Sequence, residues 1–213
     1  MDLSSPISSV VPGAYGPILA ALVRAGAPLS GRQIAALVDG QVSRSRVNSV
    51  LGEMADSGLV SREPHPPAVL YRFNREHVAA PFVEGLADLR RALQERIQVQ
   101  VAAWTQSAVA VWMFGSAARG QGSVDSDIDI LVVRPEFINE EDPMWGTQLA
   151  QLADDVRTWS GNPCTILEMS ESELDEGINS RLRLIADIRR DAVWLGGAEP
   201  ASLLRMDATV GNS

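Results

Sequence analysis

Apolar residues recur every three or four positions through the first sixty residues, and this spacing predicts three short helices. The first is expected over 15–28. The second is expected to start at Ser30, because Ser30 and Gln33 form a capping-box pattern. The third is expected over 43–57, with Ser43 as its N-cap. The positions expected to face the core are Ile18, Leu19, Leu22, Val23, Ile34, Leu37, Val38, Val47, Val50, Leu51 and Met54.

The pattern changes after the third helix, where Gly58 is the expected stop. Two short runs, 59–63 and 68–73, flank a proline-containing tip at 65–67 and predict a β-hairpin. A long amphipathic run then begins at Pro81 and predicts a helix that continues to about residue 104.

The remainder alternates between short apolar runs and helical stretches, which is typical of an α/β domain with a small sheet. Strands are expected over 108–115, 127–133, 164–169 and 192–195, and helices over 142–160 and 170–190. Both helices open on capping signals, an aspartate before a proline in one and a Ser-x-x-Glu box in the other.

These patterns predict a two-domain chain of α+β and α/β character. The expected domains are 15–80 and 81–198, with disordered tails at 1–14 and 199–213. Charge separates the two parts: residues 1–78 carry seven arginines against six acids, whereas 79–213 carry eleven against twenty-one. A near-neutral front half joined to a strongly acidic back half indicates two modules with different partners.

Cysteine content and hydropathy narrow the class of protein. The one cysteine, Cys164, excludes an intramolecular disulfide and a multi-cysteine zinc site, which suits a reducing cytoplasm. No signal peptide or transmembrane span is expected, since the longest apolar runs fall far short of the roughly 20 residues that cross a bilayer. The sequence therefore predicts a cytoplasmic protein without a membrane partner.

The segment with the most informative chemistry is 114–133, FGSAARGQGSVDSDIDILVV. Asp127 and Asp129 are two positions apart at the start of a predicted strand, so their side chains are expected on one face, about 6.6 Å apart at the backbone. Carboxylates this close repel each other unless a cation joins them. Mg²⁺ or Mn²⁺ is the expected cation, because these hard ions prefer carboxylate, water and phosphate oxygens.

A glycine-serine turn precedes the two acids. Gly115 allows the backbone to approach a ligand closely, and the turn amides and the Ser116 hydroxyl can hold triphosphate oxygens. The residues after it are expected to start a short helix aimed at the same phosphates.

The string from Gly115 to Val132 resembles the signature of the polymerase-β-like nucleotidyltransferases, in particular the minimal nucleotidyltransferases. The resemblance covers roughly 84–195. It implies catalytic, metal-binding roles for Asp127 and Asp129, and nucleotide-binding roles for the residues Gly115, Ser116, Arg119 and Ser126. It also implies an NTP substrate, with ATP the expected one, and a nucleotidyltransferase fold with a small mixed sheet flanked by helices.

One departure from that family concerns a third carboxylate, which its members usually carry on the next strand. Thr165 occupies the equivalent position here. Glu168 is the nearest acid, but strand alternation places it on the opposite face unless the register shifts. The departure implies slow or conditional transfer, a substrate that brings its own activation, or a domain that binds nucleotide without turnover.

The first domain resembles the winged helix-turn-helix domains of the MarR and ArsR type over roughly 15–78. The resemblance implies that the third helix enters the DNA major groove and that the hairpin is the wing. The implied DNA-binding residues are Arg44, Ser45, Arg46, Asn48, Arg62 and Arg72. Protein docking is the alternative role, and a homodimer seam is expected along the apolar helix around 82–104.

Three hypotheses follow for the whole chain. It is an enzyme that transfers NMP from an NTP to a hydroxyl of a protein, nucleic acid or small molecule. Alternatively, it is a DNA-binding regulator whose second domain senses nucleotide or is catalytically degenerate. In the third, the chain is a toxin–antitoxin component that modifies a partner protein and regulates its own operon.

Overall fold

The computed structural model describes residues 1–204 and divides the chain into two compact units. The front unit comprises Asp2 and Ser4–Arg90, and the back unit comprises Met1, Leu3 and the described residues from Arg91 to Leu204. Within residues 1–204, no helix is long and apolar enough to cross a membrane.

The front unit combines helices with a small antiparallel sheet. Its elements in chain order are a 3-10 helix at Pro6–Ser9, α1 (Tyr15–Arg24), β1 (Leu29–Ser30), α2 (Gly31–Leu37), α3 (Arg44–Asp56), β2 (Val60–His65), β3 (Ala68–Phe73) and α4 (Ala80–Ala87). The strand order is β1-β3-β2, with β3 antiparallel to both neighbours. The two-residue strand β1 was not predicted, because nothing in so short a segment distinguishes it from a loop.

Local capping signals place the front helices where the sequence predicts them. The Ser30 side chain accepts a hydrogen bond from the Gln33 amide and completes a capping box, which starts α2. Ser43 accepts from the Arg46 amide at the start of α3. Gly58 follows that helix with φ +79°, a backbone conformation that favours glycine. These three predictions are confirmed.

The core of the front unit agrees with the predicted apolar positions except at one residue. Ile34 and Val38 are buried, but Leu37 is 61% exposed. Residues 34 and 38 lie one above the other on a helix, whereas residue 37 lies about 100° away from residue 38. The predicted inward stripe was therefore one residue too wide.

The two expected disordered tails contain short helices and buried residues. Within 1–14, Pro6–Ser9 form a 3-10 helix, and both Leu3 and Ile7 are buried. Within 199–213, α10 (Pro200–Leu203) precedes a buried Leu204, and the rest of that segment lies outside the described residues. These segments are not disordered tails, because each contains apolar side chains that pack into a core.

The back unit is built on one mixed four-stranded sheet. Its elements in chain order, besides α10, are α5 (Leu89–Ala102, of which the first two residues count with the front unit), β4 (Ala110–Phe114), α6 (Gly115–Arg119), β5 (Ile128–Arg134), α7 (Pro143–Ser160), β6 (Cys164–Ser170), α8 (Glu171–Asn179), α9 (Arg183–Asp191) and β7 (Val193–Gly197). The strand order is β6-β5-β4-β7; β5 and β6 run parallel and the other pairs are antiparallel.

Two predicted helices are each divided in the structure. The run from Pro81 is interrupted at Asp88, whose φ of −109° is not helical and which separates α4 from α5. The run after Ser170 is interrupted near Arg181, which has φ +53° and separates α8 from α9. Asp, Asn and Ser next to these breaks favour turns by bonding to nearby backbone, a tendency that apolar periodicity does not reveal.

Strand β5 is buried on both faces. Ile128, Ile130 and Val132 pack into the same core as Trp145 of α7 and Ile97 of α5. On the other face, Leu131 and Val133 pack with Ile185 and Ile188 of α9. The sequence predicted only the first of these two cores.

All five tryptophans belong to the back unit, at positions 104, 112, 145, 159 and 194. Trp112 and Trp145 are fully buried, and the Trp145 ring lies edge-on to Trp104 with 5.8 Å between centroids.

Candidate active site

The glycine-serine turn lies directly against one of the two aspartates. Gly115 links β4 to α6 with φ +72°, and a Cβ atom added there would lie 2.7 Å from the Asp129 Oδ2 atom. Only glycine allows this approach, because any side chain would have to displace the carboxylate. The backbone of the turn and Asp129 therefore form one compact corner, with Ser116 next in the chain.

Strand pairing fixes Asp129 in that corner. It pairs with Phe114 of β4 on one side and with Thr165 of β6 on the other. Asp127 precedes the first residue of β5 and is exposed, while Ile128 between the two acids is fully buried. The structure thus anchors one acid in the sheet and leaves the other at the end of the preceding loop.

Neither acid is neutralised by another side chain within the described part of the protein. Within residues 1–204, the Asp127 and Asp129 carboxylates have no hydrogen-bond or ion-pair partner. Burial, and then the charge of Asp127, raises the pKa of Asp129 above its ordinary value. Burial, followed by the charges of Asp129 and Asp127, raises the pKa of the neighbouring Cys164 thiol to about 12. The corner therefore carries an uncompensated negative potential.

This donor set fits a divalent cation that completes its coordination with water or phosphate. Among the described residues, no group of three or more His, Cys, Asp or Glu side chains converges to hold a metal. Two carboxylates and no closed protein cage are typical of magnesium sites that share the ion with substrate phosphates. Asp127 and Asp129 are the residues that would hold it.

The register of β6 decides which residue stands where the family resemblance expects a third carboxylate. The parallel pairing runs without a shift from Ile128 with Cys164 to Arg134 with Ser170. Thr165 consequently lies beside Asp129, as the sequence predicts. The register shift that could have brought Glu168 to this face does not occur.

Glu168 is instead engaged on the opposite face of the sheet. Its Oε1 atom accepts a hydrogen bond from Arg134 Nε at 2.6 Å and another from Trp145 Nε1 at 2.8 Å. Both partners are largely or fully buried. The side chain therefore serves the packing of α7 on the sheet and does not contribute to the corner at Asp129.

Arg119, the last residue of α6, is held by Asp191, a side chain that no sequence pattern indicates. Its Nη1 atom donates to Asp191 Oδ2 at 2.6 Å, and its Nε atom donates to Gln121 Oε1 at 2.9 Å. Arg190 also bonds to Asp191, and these two arginines, Arg190 first, lower the pKa of Asp191 to about 2. Because 72 positions separate Arg119 from Asp191, no local pattern could have indicated the pair.

Ser126 faces its own loop. Its Oγ atom accepts a hydrogen bond from the Ser123 amide at 2.9 Å and lies 3.2 Å from the Ser123 hydroxyl. In this conformation Ser126 shapes the segment that leads into Asp127.

The residues expected to bind DNA belong to the front unit. Arg44, Ser45 and Asn48 are exposed on the first turns of α3. Arg46, on the same helix, bonds to Glu53 at 3.3 Å and lies over the Tyr15 ring. On the hairpin, Arg72 is exposed, and Arg62 lies 3.6 Å from Asp56. The structure places the first group on one helix and the second on one hairpin.

Part of the chain, including the Gly115 turn and Asp129, is similar to a known family. Residues 88–185 match the family model described as a nucleotidyltransferase domain. No curated protein matches the chain significantly.

Two crystal structures are similar to part of the chain. The first is a toxin-antitoxin with AMP-PNP, with a TM-score of 0.37 at 15% sequence identity. The second is a mutant of the toxin-antitoxin MntA-HpeT, with the same TM-score at 12% identity. Each similarity covers 52% of this chain and 80% of the other.

Proposed function

We propose that this chain, whose residues 88–185 match the nucleotidyltransferase family model, transfers a nucleoside monophosphate from an NTP to an acceptor hydroxyl. The hydroxyl oxygen forms a bond to the α-phosphorus, the bond from that phosphorus to the bridging oxygen of the β-phosphate breaks, and pyrophosphate leaves. The acceptor proton passes to solvent water. ATP is the proposed donor.

The observation that carries the proposal is the pair of unneutralised carboxylates beside a glycine turn. Asp127 and Asp129 would hold a divalent cation, Mg²⁺ or Mn²⁺, which neutralises charge on the triphosphate when it is bound. Gly115 lies directly against Asp129 and Ser116 follows it in the chain, so these two residues are proposed to bind the phosphates. Arg119 is proposed to balance phosphate charge, with Asp191 holding its guanidinium.

Thr165 gives the site a second distinctive property. A third carboxylate next to Asp129 would help to deprotonate the acceptor, and a threonine hydroxyl is too weak a base for that task. Turnover is therefore proposed to be slow unless the acceptor is activated by its own surroundings. The same observation favours the alternative function, in which the back unit senses nucleotide without turnover.

The acceptor is proposed to be a side-chain hydroxyl of a partner protein, and the chain a component of a toxin–antitoxin pair. Nucleic-acid ends and small molecules are the competing acceptors. The excess of acids over arginines in 79–213 gives a weak preference for a cationic acceptor.

Binding and transfer can be measured separately. Titration calorimetry with Mg²⁺ and ATP should show nucleotide binding, and labelled ATP should transfer its label to an acceptor in lysate. Both signals should be lost in Asp127→Asn. Binding without transfer would establish the sensor instead, and the absence of binding would refute both roles of the back unit.

We further propose that the front unit is a winged helix-turn-helix domain that binds DNA. Its order of elements, α1-β1-α2-α3-β2-β3, and its exposed arginines on α3 and the hairpin support this role. The double variant Arg44→Ala, Arg72→Ala should weaken DNA binding and reduce the salt dependence by about one unit of slope per lost phosphate contact.

Arg24→Ala is the matched control for DNA binding, since Arg24 is an exposed arginine at the end of α1. An equal loss in the control would show that only general charge matters. If the unmodified protein binds no DNA at low salt, the front unit is a protein-docking module.

A further inference from the structure

Asn162 is a fully buried polar residue outside the set that the sequence singled out. It follows Gly161, which has φ +77° and ends α7, and it precedes Pro163 in the turn that enters β6. Its exposed fraction is 0%, which is uncommon for an asparagine unless all its polar groups are satisfied. The partners of its side-chain hydrogen bonds therefore indicate its structural role.

The side-chain amide binds the loop that leads to the two aspartates. Asn162 Nδ2 donates to the carbonyl oxygens of Ser123 at 3.3 Å, Val124 at 3.2 Å and Ser126 at 3.0 Å. A single amide nitrogen has only two hydrogens, so at least one of them is shared between carbonyls. At its other end, Asn162 Oδ1 accepts from the Met1 nitrogen at 2.7 Å.

Pro163, which follows Asn162, holds the chain on the other side of Asp127. The Ile128 amide donates to the Pro163 carbonyl at 2.8 Å. Asp127 is thus flanked by two backbone attachments, one from the Ser126 carbonyl to Asn162 and one from the Ile128 amide to Pro163. Since the Asp127 carboxylate has no partner among the described residues, its position depends on these backbone bonds.

We propose that Asn162 is a positioning residue that holds the 123–126 loop so that Asp127 meets Asp129 at the metal site. The inference rests on the proposed function, because it assigns Asn162 a part in the same cation site. It adds a residue from the end of α7 to a site otherwise built from the β4–α6 turn and the start of β5.

The test compares Asn162→Ala with Gln148→Ala. Gln148 also bridges two segments of the back unit, through hydrogen bonds with the Gln106 amide and carbonyl, and it does not touch the loop. Three readouts are taken on the full chain: thermal unfolding, hydrogen exchange of the amides in 121–128, and Mn²⁺ affinity from the spectrum of the free ion.

Asn162→Ala should increase exchange across 121–128 and weaken Mn²⁺ binding by about tenfold, the usual loss when a residue supporting a metal ligand is removed. Gln148→Ala should lower the unfolding temperature but leave both other readouts unchanged. Asn162→Ser keeps one donor and should fall between the wild type and alanine, which gives a second measurement if the alanine variant fails to fold.

The outcomes separate this proposal from the proposed function. If the wild type binds no Mn²⁺, the metal site itself is refuted. If the wild type binds Mn²⁺ and the Asn162 variants bind it equally well, or keep the loop as protected as in the wild type, the role of Asn162 is refuted while the proposed function stands.

Discussion

Two carboxylates on neighbouring strands of the back unit have opposite surroundings. Glu168 on β6 bonds to both Arg134 and Trp145, two side chains with little or no exposure. Asp129 on β5 has no partner among the described residues, and burial together with Asp127 raises its pKa. One acid is satisfied by the protein, and the other is left for something outside it. This difference in partners is the reason for proposing a structural role for Glu168 and a functional role for Asp129.

The sheet itself produces this difference. Alternate residues of a strand face opposite sides, so three positions along β6 move a side chain from the face of Asp129 to the face of α7. A shift of one residue would exchange the two environments. The continuous register between β5 and β6 therefore decides that Thr165, and not Glu168, borders the site.

The largest effect is expected from neutralising the unpaired acids. Asp127→Asn or Asp129→Asn should lower nucleotide transfer by at least about 100-fold, because either change removes a charge that positions the cation and triphosphate. The measurement is label transfer from ATP. Asp125→Asn alters an exposed acid of the same loop and should keep nearly full activity; an equal loss there would contradict specific roles for the other two.

The second-largest effect is expected on stability, from removing the Glu168 carboxylate. Glu168→Ala leaves the largely buried Arg134 without its ion-pair partner, so the free energy of unfolding should fall by about 3 kcal/mol. Denaturant unfolding measures this, with Glu140→Ala as an exposed control. Transfer by the folded variant should be unchanged, and a selective loss of transfer would show that Glu168 is catalytic after all.

The third change gives Asp129 the neighbour that it lacks. Thr165→Asp places a carboxylate beside Asp129 and should raise turnover about tenfold by supplying a base for the acceptor hydroxyl. Thr165→Asn, which has similar size and no charge, should not do so. No gain from the aspartate would indicate that the acceptor is activated in another way or that the unit is a sensor.

The smallest effect is on stability without metal. At neutral pH, Asp129→Asn should raise the unfolding temperature by about 2 °C, because it removes a charge that burial and Asp127 disfavour. The pKa of Asp129 is raised in the folded protein, so wild-type stability should increase as pH falls through that pKa. The difference between the two proteins should therefore disappear below the ordinary pKa of aspartate.

Bound metal and nucleotide should make the wild type more stable than Asp129→Asn, the reverse of the order expected without metal. Mg²⁺ with ATP should stabilise the wild type and leave Asp129→Asn unaffected, since ligand binding raises stability only where a site exists. If the variant is no more stable than the wild type without metal at neutral pH, the Asp129 carboxylate is not under electrostatic strain.

Local signals allowed much of the fold to be predicted. Capping residues at Ser30, Ser43, Asp142 and Ser170 act within one turn of the chain, and each starts a helix in the structure. Leu37 was misplaced because a spacing of three or four residues does not reveal how wide a stripe the helix buries. The ordered segments near both ends of the chain depend on distant packing surfaces, which a sequence pattern does not contain.

In the candidate site, too, local features could be predicted from the sequence and long-range contacts could not. The turn at Gly115 and the Asp127–Asp129 pair are recognisable because their spacing is fixed within a few residues. Asp191 and Asn162 could not be found in this way, since each reaches the site from an element far along the chain. The resemblance to a family also could not settle Thr165 against Glu168; only the register of β6 did.

The distribution of indole rings supplies a built-in optical label. With every tryptophan in the back unit, excitation at wavelengths that tyrosine does not absorb reports on that unit alone. The front unit, which contains the two tyrosines Tyr15 and Tyr71, is dark under the same light. Comparing intrinsic emission with the far-ultraviolet signal of the whole chain will therefore reveal whether the two units melt together or in succession.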